Sequence, residues 1–403
     1  MIELLKGIRV LECAVLFNGD QTSRFMGDLG ADVIKVEAPG VGDYLRDFLG
    51  QITPHNSPAH MFANRSKRSI TLNLRTDEGR AVFFDLLKTA DIFVDGFVAG
   101  ACEKLGIGYE AQRKVKPDII YCQCTGYGAV GPYATVPTHG MMMGALAGGM
   151  PARVGAEGLA ERDPDRSGMG DGTVVGALFS AYTAISALMR RARTGEGCYI
   201  DGAGSDAVLA TEWFPALYAW NDKRLTDRTS LAESGNANSA KYQVYRTKDG
   251  KFMLFCGIEH KFWDKFCRAA GREDLVAYKD TRTPVDFAHN DGKLRRELQS
   301  IFGSRTLAEW TQIAIDHDIA MGPAHAVEDI VDDPHIRARE IVYQEHHPHA
   351  GDFTTVGWPA PVRGQPFSVE RHAPLLGEHT DAILAEIGYE ADRIAALRTA
   401  KVI

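Results

Sequence analysis

The sequence of 403 residues lacks the features that would tie it to a membrane, a secretory route, a metal or a nucleic acid. The uncharged run over residues 172–189 approaches the length of a spanning helix. It carries Gly172, Gly176, Ser180, Thr183 and Ser186 where such a helix needs Leu, Ile and Phe. A buried core helix lined with small residues is the expectation, and no membrane partner. Residues 1–6 have no basic region leading into an apolar stretch, so no signal peptide is expected. The seven cysteines are scattered. Cys122 and Cys124 alternate in a strand-like run, a spacing that is neither a C-x-x-C redox pair nor a zinc set, and Cys256 and Cys267 read as small core residues. A reduced, cytoplasmic protein without a bound metal is expected. With a net charge of −8 the chain has no excess of cations for a broad nucleic-acid surface, though a local basic patch for a phosphorylated ligand stays open. No internal repeat or low-complexity tract is present.

What is present is a βα alternation. Residues 7–12, 31–37, 69–74, 91–95 and 118–124 read as five buried strands, with helices over 22–29 and 77–89 between them. Such alternation argues for a parallel sheet covered on both faces, and the length for two domains. The character changes after about residue 205. Residues 242–255 read as a hairpin turned by Asp249-Gly250, and charged helices follow over 260–270, 291–300 and 306–315. Residues 334–361 read as loops and short strands, and 380–387 as a final helix.

Asp171 is the most informative residue. It sits in Ser167-Gly168-Met169-Gly170-Asp171-Gly172, at the mouth of the uncharged run. Flanking glycines let a substrate approach the backbone, and a helix start offers unpaired N–H groups that favour negative charge. The plain alternative is an ordinary helix N-cap.

Several blocks in order resemble one family. They are residues 5–12 (LKGIRVLE), 27–37 (GDLGADVIKVE), 42–46 (GDYLR), 64–70 (NRSKRSI), 126–128 (GYG) with 131–132 (GP), 170–171 (GD), 194–197 (TGEG) and 374–380 (PLLGEHT). The set is similar to the class III (CaiB/BaiF) CoA-transferases, a family that includes formyl-CoA transferase, carnitine CoA-transferase and alpha-methylacyl-CoA racemase. The resemblance implies a Rossmann-like large domain built from both chain ends: residues 1–205 as its first part, 206–230 as linker, 231–335 as a small α+β domain and 336–403 as the return. It also implies a ring-shaped chain in an interlocked homodimer. The substrates would be an acyl-CoA thioester and a carboxylic acid, with coenzyme A as a substrate and no permanently bound cofactor.

By the resemblance, Asp171 is the nucleophile that forms an aspartyl anhydride and then an aspartyl-CoA thioester. His139 falls where the racemases carry their catalytic histidine, and Glu259 where they carry a glutamate that orients it. These two residues keep a second reading open, a 2-methylacyl-CoA racemase with His139 and Asp171 as a two-base pair. Gly140 departs from the racemase pattern, which usually has Asp there. Arg46, Lys67, Arg68, Leu72, Lys104 and Gly172 are the expected CoA contacts, the cations meeting phosphates. Phe17 replaces a glutamine that contacts the acyl group in formyl-CoA transferase. That argues against oxalate or formate, and Phe17, Met141, Met142 and Trp213 hint at a larger apolar acyl group. Two further classes are weaker. A dinucleotide oxidoreductase, suggested by Gly168, Gly170 and Gly172, lacks the preceding strand. A non-catalytic CoA-binding scaffold would not need Asp171.

Overall fold

A computed structural model describes residues 2–163, 170–227 and 239–403. Ser167, Gly168 and Met169 lie outside the described residues. The chain forms two compact units, Met1–Leu217 with Glu340–Ile403, and Tyr218–Arg339.

The first unit is built on strands β1 (Arg9–Cys13), β2 (Asp32–Glu37), β3 (Lys67–Thr71), β4 (Ile92–Asp95), β5 (Ile120–Thr125) and, after a small hairpin of β6 (Ala152–Val154) and β7 (Ala160–Arg162), β8 (Cys198–Ala203). They form one sheet in the order β3-β2-β1-β4-β5-β8, every pair parallel. Both faces of the central strands are buried, which is why β1, β2, β4 and β5 read as largely apolar runs. Leu11, Ile34, Phe93 and Tyr121 pack on one side with Phe83 and Leu86; Val10, Val33, Ile92 and Ile120 pack on the other with Met26 and Ala181. The helices are α1 (Phe17–Gly27), α2 (Pro58–Asn64), α3 (Asp77–Leu87), α4 (Ala101–Lys104), α5 (Tyr109–Val115), α6 (Gly140–Leu146), α7 (Gly172–Thr194) and α8 (Gly204–Thr211).

Sequence and structure differ at several places in the first unit. The first helix starts at Phe17 rather than residue 22. Its first turn holds Asn18, Gly19 and Asp20, weak helix formers on their own, and tertiary contacts to Asp20 hold it. The strand β8 has no counterpart in the sequence reading; its half-exposed edge position leaves it without a clean apolar run. Finally, α7 is not buried all round. Its small residues Gly176, Ala177, Ser180, Ala181 and Ala184 are buried, while Val174, Leu178, Phe179, Tyr182 and Met189 are exposed. It is the one described helix long and apolar enough to span a membrane. Its small-residue face packs inside the unit against α1, α8 and the sheet.

A buried cluster of charge joins the carboxyl-end half of the sheet. Lys35 Nζ lies 2.7 Å from Glu12 Oε1, 2.6 Å from Asp20 Oδ1 and 2.9 Å from Asp43 Oδ2. Lys67 Nζ reaches Glu12 Oε2 at 2.7 Å, and donates to Asp20 O and Asn64 Oδ1. All five charged side chains are buried. Burial pushes the Glu12 carboxyl up, but Lys35 and Lys67 outweigh it and hold it at about 2. Burial, with Asp43 alongside, drives Asp20 the other way, well above the ordinary carboxylate range. With Asp20 protonated, two lysines face two carboxylates and the cluster is neutral.

The second unit holds an antiparallel sheet, β11 (Met321–Pro323)-β10 (Phe252–Cys256)-β9 (Tyr242–Arg246), with Gly250 at φ 79° in the β9–β10 turn. Beyond α9 (Trp213–Asn221), which crosses the unit boundary, α10 (His260–Ala269), α11 (Gly292–Phe302) and α12 (Leu307–His317) pack Trp263, Phe266, Phe302 and Trp310 against that sheet. The short helix α13 (Pro334–Ala338) closes the unit in a stretch expected as loop, its N1 proline preset for a helix start. The chain then returns to the first unit as the hairpin β12 (Val342–His347)–β13 (Gly351–Val356), where Arg65 Nη1 donates to Val356 O at 2.6 Å. Two helices end it, α14 (Thr380–Glu386) and α15 (Ala391–Thr399), the latter beyond the expected last helix.

Lys35→Met leaves Glu12, Asp20 and Asp43 around one remaining lysine. Chemical denaturation is expected to show about 3–5 kcal/mol lost from the first unit, the cost of breaking a buried ion pair on one side.

Candidate active site

The strand order reverses between β1 and β4, so the chain leaves their carboxyl ends in opposite directions and a crevice opens there. A cavity of about 540 Å³ occupies it. Residues 15–18 line it from the end of β1, 96–98 from β4 and 125–127 from β5. Residues 138–141 border it where α6 begins, and Asp171 and Thr173 where α7 begins.

Asp171 is the N-cap of α7. Its Oδ1 accepts from the Thr173 backbone N–H and from Thr173 Oγ1, each at 2.7 Å. Its Oδ2 takes no hydrogen bond among the described residues. The helix-cap reading holds, and the capped carboxylate belongs to a residue that also lines the cavity. Gly140 packs against that carboxylate. A Cβ at 140 would stand 2.6 Å from Oδ1 and closer still to Oδ2, so only glycine leaves the carboxylate where it is. A second close approach sets the start of α7. Gly172 meets Met143 and the Gly204 carbonyl, and a Cβ there would lie 2.5 Å from Met143 Cβ and 2.9 Å from that oxygen.

His139 is the N-cap of α6, is exposed, and makes no side-chain capping bond; it lines the same cavity as Asp171. Glu259 belongs to the second unit, where it is the N-cap of α10 without a side-chain capping bond. The expected pairing with His139 joins residues of two different units.

The expected CoA cations have other occupations. Arg46 is buried, pairs with Glu37 at 2.7 Å and donates to Pro374 O. Lys67 is enclosed in the charge cluster, and Arg68 is held by Asp32 and Glu386 at 2.6 Å each. Leu72 is a core residue. Their sequence neighbourhood reads as solvated loop, but the strand β3 carries Lys67 and Arg68 inward, and burial requires each cation to be paired. Lys104, on α4, is exposed. Gly172 is buried at the first position of α7. Phe17 and Met141 line the cavity, whereas Met142 and Trp213 do not.

Several lining residues carried no sequence signal of their own. Thr173 could have been found, since a Thr two residues after an N-cap Asp is a natural donor to it. Asn18, whose Nδ2 donates to Thr125 O at 3.2 Å, and Phe48 could not, because only the fold brings them to β5 and Phe17.

A model of CoA-transferase family III matches residues 5–380. The chain belongs to this family. The succinyl-CoA:mesaconate CoA-transferase of Haloarcula marismortui is 32% identical over 407 residues, covering 96% of this chain and 97% of that protein. The succinyl-CoA:glutarate CoA-transferase of Mus musculus is 30% identical over 386 residues, covering 95% of this chain and 86% of its own. A CAIB/BAIF family protein from Brucella suis has a crystal structure that matches with a TM-score of 0.73 at 29% identity, covering 96% of this chain and 100% of that one. The chain is an enzyme that transfers CoA between an acyl-CoA and a carboxylic acid. The racemase alternative is not favoured.

Gly140→Ala is expected to displace the Asp171 carboxylate and lower kcat about 100-fold with little change in KM or melting temperature, read by steady-state CoA-transfer kinetics.

Proposed function

We propose that Asp171 performs the transfer as a covalent nucleophile. The observation that carries this is its carboxylate at the cavity wall, with Oδ1 held by Thr173 and Oδ2 unengaged. Oδ2 attacks the thioester carbonyl, the C–S bond breaks, and CoA leaves as thiolate from a mixed anhydride. The thiolate then attacks the Asp171 carbonyl, releasing the first carboxylate and leaving an aspartyl-CoA thioester. An acceptor carboxylate attacks that carbonyl, and the returning thiolate takes the acceptor's acyl group and frees Asp171. Two tetrahedral oxyanions per half-reaction need donors, and His139 lines the cavity beside Asp171. Water must be excluded while the anhydride exists, which suits a crevice lined mostly by carbon.

We propose further that two chains form the working unit. The exposed apolar side chains Leu178, Phe179 and Tyr182 on α7, with Trp213 and Phe214 on α9, give each chain a surface that a second copy would cover. Light scattering is expected to read twice the chain mass. Of the cations expected to meet CoA, Lys104 remains as a phosphate contact, and the enzyme works in the cytoplasm.

Asp171→Ala is expected to lower transfer about 10⁴-fold. Intact-protein mass spectrometry of the native enzyme with acyl-CoA is expected to show an adduct of CoA on the peptide containing Asp171. No adduct, or α-deuterium uptake from heavy water without acid exchange, would overturn this assignment.

A further inference from the structure

We infer that the acyl groups this enzyme exchanges are those of apolar monocarboxylic acids, and that dicarboxylic acids are disfavoured. This rests on the assignment of Asp171 as nucleophile, because it takes the cavity beside Asp171 as the seat of the acyl chain.

The argument begins with charge. Among the described lining residues there is no lysine or arginine, and Asp171 is the one carboxylate. His139 is the one imidazole among the described lining residues. The cations that the fold places behind the walls are already engaged. Lys35 is shared by Glu12, Asp20 and Asp43, Lys67 is bound to Glu12, and Arg46 to Glu37. A second carboxylate entering this crevice would lose water, meet no cation and face the negative charge of Asp171, an arrangement that burial strongly disfavours.

The argument continues with shape and surface. Phe17, Phe48, Phe97, Val98, Val136 and Met141 give the cavity an aromatic and aliphatic lining. The Phe17 and Phe48 rings meet edge to face, with centroids 5.6 Å apart and planes at 80°, so each fixes the other. A volume of about 540 Å³ suits a chain or ring of several carbons rather than a one- or two-carbon acid. The preference differs from that of the succinyl-CoA:glutarate and succinyl-CoA:mesaconate enzymes, which are named for dicarboxylic acids.

The test compares acids of equal length that differ in the distal carboxylate, pentanoate against glutarate and butanoate against succinate. Each serves as acceptor from one common donor, hexanoyl-CoA, and the product thioesters are separated and quantified. The monocarboxylate is expected to win by at least about 100-fold in kcat/KM. Val136→Lys, at a partly exposed wall position, is expected to reduce that ratio at least about tenfold by supplying the missing cation. Glutarate equal to or better than pentanoate would overturn the inference while leaving transfer through Asp171 intact. If that dicarboxylate preference vanished in His139→Gln, His139 would be its counter-charge. An unchanged ratio in a folded Val136→Lys enzyme would also count against it, by removing the acyl chain from this wall. Absence of both transfer and the Asp171 adduct with every thioester would overturn the nucleophile assignment and the inference with it.

Discussion

The ammonium of Lys35 organises the carboxyl-end side of the sheet. It stands on β2 and reaches a carboxylate on β1, one on α1 and one on the loop after β2, all buried. Two of those partners position something at the cavity. Asp20 pins the first turn of α1, whose residues Phe17 and Asn18 form a wall. Asp43 accepts from the Leu16 N–H at 3.3 Å and so holds Leu16 at φ 63°, a conformation a leucine avoids and one that costs of order 1–3 kcal/mol when left unsupported. Burial and the neighbouring Asp43 push the Asp20 carboxyl upward, and the pairing of buried lysines with carboxylates is what lets so many ionisable groups share the interior.

Around that anchor, the parallel sheet supplies a switch point, and the start of α7 sets Asp171 beside it. The proposed nucleophile is held by an N-cap, an interaction found in ordinary proteins, with one oxygen left without a hydrogen bond among the described residues. The same close packing that seats it depends on the absence of side chains. Gly140 leaves room for the carboxylate, and Gly172 lets α7 approach Met143 and α8. Small residues along one face of α7 continue this approach against α1 and the sheet, while its apolar outer face stays uncovered in the single chain. One helix thus carries Asp171 at its start, core packing on one side and an exposed apolar face on the other.

The legible part of this protein was its βα alternation, its hairpin in the second unit and Asp171 itself. Buried parallel strands leave apolar runs, a two-residue turn leaves Asp-Gly, and a helix-capping aspartate among glycines leaves a local signature, so each can be read over a short stretch. The cations could not be read that way. Lys67 and Arg68 sit among polar neighbours and look like a phosphate patch, yet their partners, Glu12 and Asp32 with Glu386, lie far away in the chain.

The sequence by itself determined most strands of the sheet and the family to which its ordered motifs belong, and it singled out Asp171 as a candidate. Only the tertiary structure decided which charges are spent inside, which oxygen of Asp171 caps α7, and that the cavity has no cation among its described lining residues. The reason is physical. Strand and helix propensities act between near neighbours, whereas burial, ion pairing and cavity shape arise between residues that meet only when the chain has folded.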